Sequence, residues 1–72
     1  MIEVTILDFW NYLLLGEIAK LTPKIPLQTD IFLSNNERYV TYQIDGLSSE
    51  DAMYIILKYN GKKVQYVCLD IN

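Results

Sequence analysis

The stretch from Thr5 to Leu21 carries more apolar surface than a chain of 72 residues readily hides, and it constrains the fold more than any other segment. At a helical repeat of roughly 100° per residue, Trp10, Leu14, Ile18 and Leu21 line one side, while Tyr12, Leu15 and Ala19 fall nearly opposite. An ordinary surface helix has one apolar stripe and a charged back. Here Asn11, Glu17 and Lys20 are scattered among apolar neighbours and form no continuous wet face, so two stripes need two partners. One stripe is expected to face the domain's own sheet. The other has two readings: the connection after Leu21 folds back over it, or it is a protein interface.

The start of this segment also has two readings. Thr5 as N-cap, Asp8 in the first turn and Val4 stapled against Phe9 predict a helix from Ile6 to Leu21. In the competing reading Ile2, Val4 and Ile6 form the inward face of a first strand, and Asp8 caps a shorter helix. A short strand ending at Val4 reconciles the two.

Downstream, Thr22-Pro23-Lys24-Ile25-Pro26 stops the helix, because each proline lacks an amide hydrogen and biases the residue before it towards extended geometry. Ile31 to Ser34 reads as a strand, Asn35-Asn36 as a tight turn of positive-φ residues, and Arg38 to Asp45 as the hairpin partner. Val40, Tyr42 and Ile44 alternate onto one face of it, opposite Tyr39, Thr41 and Gln43. Asp45-Gly46 breaks the strand. Ser48 with Asp51 three residues later caps a second helix through Ala52, Ile55, Ile56 and Tyr59, which Asn60-Gly61 terminates. Val64 to Ile71 reads as a last strand, with Val67, Leu69 and Ile71 on one face. The order is α-β-β-α-β, or β-α-β-β-α-β if the first residues pair with the sheet. Residues 1–72 are therefore expected to form one α+β domain with two helices on one face of a mainly antiparallel sheet. The six-element version would be ferredoxin-like, a topology with little functional content of its own.

A domain near this size buries only roughly 60% of its unfolded surface, so its stability is expected to be marginal, and a homodimer is one source of help. Cys68 is the single cysteine and cannot form an internal disulfide, which fits a reducing, cytoplasmic location. Asp8 and Glu17 interrupt the first apolar run well short of the roughly 20 residues that span a bilayer, so no membrane partner is expected. Nine acids against six Lys and Arg give a net charge of −3, which disfavours a general phosphate-backbone binder.

The usual catalytic chemistries find no residues. Histidine, the commonest general base at neutral pH, is absent. Cys68 lies between Val67 and Leu69 and reads as a small core residue. One Cys without His matches no ordinary zinc site, and Asp45, Glu50 and Asp51 match no calcium loop. Gly16, Gly46 and Gly61 are isolated, so no phosphate-cradling loop arises from them. No enzyme activity, cofactor or metal is expected. Tyr39 and Tyr42 point to opposite faces of their strand and make no stacking platform for bases, and Lys58, Lys62 and Lys63 form only a small basic patch near a turn.

What remains is contact chemistry. Six tyrosines and Trp10 supply large, stiff side chains with a polar tip, the kind enriched in binding hot spots. The expected interface residues are Tyr12, Leu15 and Ala19, with Tyr39, Tyr54 and Tyr66 as secondary candidates. The functional expectation is a non-enzymatic protein-binding module: a small acidic regulator or inhibitor docking on a larger protein, of the kind common among phage and mobile-element accessory proteins. The alternative is an assembly subunit that acts by homo-oligomerisation.

Overall fold

Alternating β-branched residues decide how the chain begins. In the computed structural model, which describes residues 1–64, Ile2–Leu7 form strand β1, with Ile2, Val4 and Ile6 buried on one face. A single 3-10 turn, Asp8–Trp10, leads into helix α1, Asn11–Leu21. The helix expected to start at Ile6 is thus shorter, and the strand reading of the first residues is the correct one. The reason is tertiary: β1 lies between two other strands and pairs with β3 along its whole length, while Thr5 bonds across to Thr41 Oγ1 at 2.8 Å instead of capping a helix. Asp8 caps no backbone amide with its side chain; it accepts from Asn11 Nδ2 at 2.8 Å and from Arg38 Nη2 at 2.7 Å.

Thr22 ends α1. Its amide donates to the Ile18 carbonyl, and its hydroxyl accepts from the Lys24 amide at 3.2 Å. Strand β2 spans Leu27–Ser34, four residues longer at its start than expected, and β3 spans Glu37–Ile44. Asn35 and Asn36 make the turn between them with φ of 52° and 64°, the left-handed pair that matches the twist of a two-residue hairpin. Val40, Tyr42 and Ile44 are all buried, as their alternation requires. Gly46, at φ +81°, turns the chain where a Cβ would stand 2.9 Å from Thr22 Oγ1.

Helix α2 spans Ser49–Tyr59. Ser48 caps it by accepting from the Asp51 amide at 3.1 Å, and Asn60 closes it in the left-handed conformation at φ 56°. Strand β4, Lys62–Lys63, pairs with Ile2 and Glu3 of β1. The expected strand from Val64 to Ile71 lies almost wholly outside the described residues, as do Tyr66 and Cys68.

The sheet is antiparallel throughout, in the order β2-β3-β1-β4. The element order β-α-β-β-α-β with this strand order is the split β-α-β arrangement of ferredoxin-like domains. Leu14 and Ile18 of α1 and Ile55 of α2 join the inward residues of β1 and β3 in one core, so both helices cover the same face. Among the described residues, no helix is long and apolar enough to cross a membrane.

Candidate functional site

Two helices on a four-stranded sheet leave a groove wherever a strand lacks a neighbour. Such a place exists along the second half of β1. β3 pairs with β1 from Ile2 to Leu7, but on the other side β4 reaches only Ile2 and Glu3. Among the described residues, the edge at Thr5, Ile6 and Leu7 is therefore unpaired, and it borders an open cleft of about 640 Å³. Trp10, Leu13 and Glu17 come from the α1 side, Lys58, Tyr59 and Asn60 from the end of α2, and Tyr39 from β3. The volume falls in the range of roughly 300–1,000 Å³ usual for ligand clefts.

The apolar part is built by local geometry. Trp10 precedes the first residue of α1 and escapes the helical spacing that would place it beside Leu14, so its indole remains 44% exposed. Phe9 packs against it edge-on, with ring centres 4.9 Å apart. Leu13 lies beside buried Leu14 but turns outward to the cleft, and it is likewise 44% exposed. Tyr39 stacks on Phe32 of β2, centres 5.5 Å apart and planes 12° from parallel.

The polar part is one carboxylate shared by three donors. Glu17 of α1 accepts from Tyr54 Oη at 2.9 Å, from Lys58 Nζ at 2.7 Å and from Tyr59 Oη. The Lys58 ammonium also donates to Tyr54 Oη at 3.2 Å and lies 5.5 Å from the Tyr54 ring centre and 5.8 Å from that of Tyr59. These bonds, led by that from Lys58, hold the Glu17 carboxyl down at about 2. Lys58 is raised, chiefly by its bond to Glu17, and Tyr59 is pushed up to about 12, by burial first and by Glu17 second. The cluster ties α1 to α2 and places a satisfied ion pair at the edge of an apolar groove. The carboxylate is held ionised far below neutrality, which suits it poorly to giving or taking protons at pH 7.

The expected interface residues are distributed over several surfaces. Tyr12 is exposed on α1 and lines neither this cleft nor the next. Leu15 is half-buried against the core, and Ala19 is exposed beside it. Both border a smaller cleft of about 310 Å³ whose other side is the connector from Thr22 to Pro26, so the connection does return alongside this stripe. Tyr39 enters the large cleft, and Tyr54 belongs to the Glu17 cluster. Sequence reasoning passed over Leu13, Glu17, Lys58 and Tyr59. A local signal was present in Tyr54 and Lys58, four apart on one helix face, but nothing local told that Glu17 would meet them across two helices.

Of the basic residues near the Asn60-Gly61 turn, Lys58 is engaged with Glu17, and Lys62 stands 3.5 Å from Glu3. Asp45 lies 3.5 Å from Lys24 and accepts from the Gly46 amide, while Glu50 and Asp51 occupy the first turn of α2. Among the described residues, no group of three or more carboxylate, cysteine or histidine side chains is placed to hold a metal ion. Comparison with known protein families, curated proteins and solved structures finds no match to this chain.

Proposed function

We propose that the chain is a non-enzymatic protein-binding module, a small regulator or inhibitor that docks on a larger protein by taking an extended apolar segment of it into the cleft beside β1. The edge at Thr5–Leu7, unpaired among the described residues, carries the reading. An open strand edge offers main-chain donors and acceptors to an incoming strand, and neighbouring pockets select its alternate side chains. Trp10, Leu13 and Tyr39 provide the apolar pockets, and the Glu17–Lys58 pair offers a polar end that orients the segment. Trp and Tyr suit this use because they bring area at a small loss of side-chain freedom.

Trp10 is the single tryptophan of the chain and reports on its own site. Tagged protein is used to retrieve binding proteins from a lysate of its source cells, alongside Leu13→Lys and Tyr12→Glu variants. The expected result is a co-purifying protein that is lost with Leu13→Lys, retained with Tyr12→Glu, and shifts Trp10 emission to shorter wavelength when added back. Circular dichroism checks that both variants are folded. If every co-purifying protein is indifferent to Leu13→Lys in a folded variant, the cleft is not the docking site and the reading fails.

A further inference from the structure

At the opposite side of the sheet from the cleft, β2 is, among the described residues, a terminal strand of eight residues, all of them exposed. Long apolar edges are normally protected by Lys, by Pro or by inward-pointing charge. β2 has neither Lys nor Pro, and Asp30 is its one charge; Leu27 and Leu33 are 63% and 73% exposed. Its one irregularity, between Gln28 and Asp30, leaves Asp30 to Ser34 regular. We infer that this segment is the contact through which a second copy of the chain binds, antiparallel, joining two four-stranded sheets into one.

The hairpin determines which backbone groups are available. Ser34 and Glu37 flank a two-residue turn and so form a hydrogen-bonded pair, and alternation along the ladder turns the amide and carbonyl groups of Ile31 and Leu33 outward. Two copies related by a two-fold axis at Phe32 place Ile31 opposite Leu33 of the second copy and Leu33 opposite its Ile31. Both are hydrogen-bonded positions, so the outward groups meet outward groups. The same register sets Asp30 opposite Ser34, a hydroxyl donor, and brings no like charges together. Sliding the pairing by one pair in one direction sets Asp30 opposite Phe32 and runs into the irregular part of β2. Sliding it the other way sets Ile31 opposite the turn residue Asn35.

Side chains agree with this register. Ile31 pairs with buried Val40 and Leu33 with Arg38, so both lie on the helix-covered side of the sheet. There the two copies bring four aliphatic side chains together. On the other side, Phe32 already stacks on Tyr39 and leaves its far side at the edge. Phe32 of the second copy continues that row, so that four rings cross the junction. Non-hydrogen-bonded pairs bring side chains closest, and aromatic pairs at such positions stabilise sheets. This backbone edge is distinct from the cleft edge of β1, although Tyr39 borders both surfaces, and the variants that test each leave the other's backbone edge untouched.

The test is sedimentation equilibrium of the whole chain over a wide concentration range, with two kinds of variant. A concentration-dependent monomer–dimer equilibrium is expected. Leu33→Pro removes an outward amide without taking a bond from the β2–β3 ladder, and it should weaken the dimer on the order of tenfold or more. Should that variant fail to fold, cross-linking decides. In a Cys68→Ser background, Phe32→Cys should oxidise to a disulfide dimer, because the two-fold axis sets that position opposite itself, whereas Leu33→Cys should not. A chain that stays monomeric throughout overturns the inference. So does a dimer unaffected by folded Leu33→Pro, or one that cross-links through Leu33→Cys in preference to Phe32→Cys.

Discussion

Glu17 shows how one side chain can be inconspicuous in the sequence and central in the structure. Its carboxylate receives Lys58, Tyr54 and Tyr59, and the consequence is a defined dependence on pH. The folded-state value of about 2 lies below the ordinary 4.5, so the stabilisation is complete above the latter and lost as pH falls toward the former. Tyr59 is raised, so its contribution is present below pH 10 and lost as pH rises through about 12, and Lys58, raised as well, acts in the same direction. Glu17→Gln should lower the melting temperature at pH 6, and the gap between variant and parent should close as both are taken down to pH 2. Circular dichroism melts across that range check it; a gap that stays constant would mean that the bonds to Glu17 contribute little as a charged cluster. Gly61 is a second such residue. A Cβ there would stand 2.9 Å from both the Glu3 carbonyl and Val4 Cγ2, so Gly61→Ala should cost about 1–3 kcal/mol by forcing α2 from β1.

Among the elements, α2 carries the most complete set of local signals. Ser48 accepts from the Asp51 amide, Glu50 and Asp51 occupy the positive end, Lys58 lies in the last turn, and Asn60 adopts the left-handed closing conformation. Ser48→Ala should cost about 1 kcal/mol, and for a domain this small that lowers the melting temperature by about 4–8 °C. Ser49→Ala, one residue inside the helix, should change it by less than half as much, and a pair of thermal melts separates them. The cap was readable because both partners lie within four residues. The start of α1 was misread for the converse reason. Thr5 and Asp8 have the right spacing for a cap, but Thr5 bonds to Thr41, and Asp8, besides its bond from Asn11, is held by Arg38, both more than twenty-five residues away.

At the scale of the whole molecule, the core is one layer of side chains between the helices and a single face of the sheet. Leu14 and Ile18 are fully enclosed, while Tyr12 on the same helix is 61% exposed. Leu14→Ala should therefore cost about 2–5 kcal/mol, a large share of what a domain of this size has. Tyr12→Ala should cost far less, and urea denaturation curves of the two variants measure the difference. A thin core also explains why so much apolar surface remains outside. Phe9, Trp10, Ile25, Leu27, Ile31, Leu33 and Leu57 are all more than two-fifths exposed, spread over both sides of the sheet and its edges.

The class of fold, the β2–β3 hairpin at Asn35-Asn36, the buried face of Val40, Tyr42 and Ile44, and both ends of α2 were legible in the amino-acid order alone. Each depends on periodicity or on residues a few positions apart, whose physics is local. Packing between distant segments settles that Ile2 to Leu7 is a central strand, that Glu17 is gathered by three donors of the other helix, and that, among the described residues, β2 and the second half of β1 each keep an open edge. Those outcomes depend on which strand lies beside which. Antiparallel pairing satisfies backbone groups between segments tens of residues apart, and no local pattern records the neighbour that will supply the bonds.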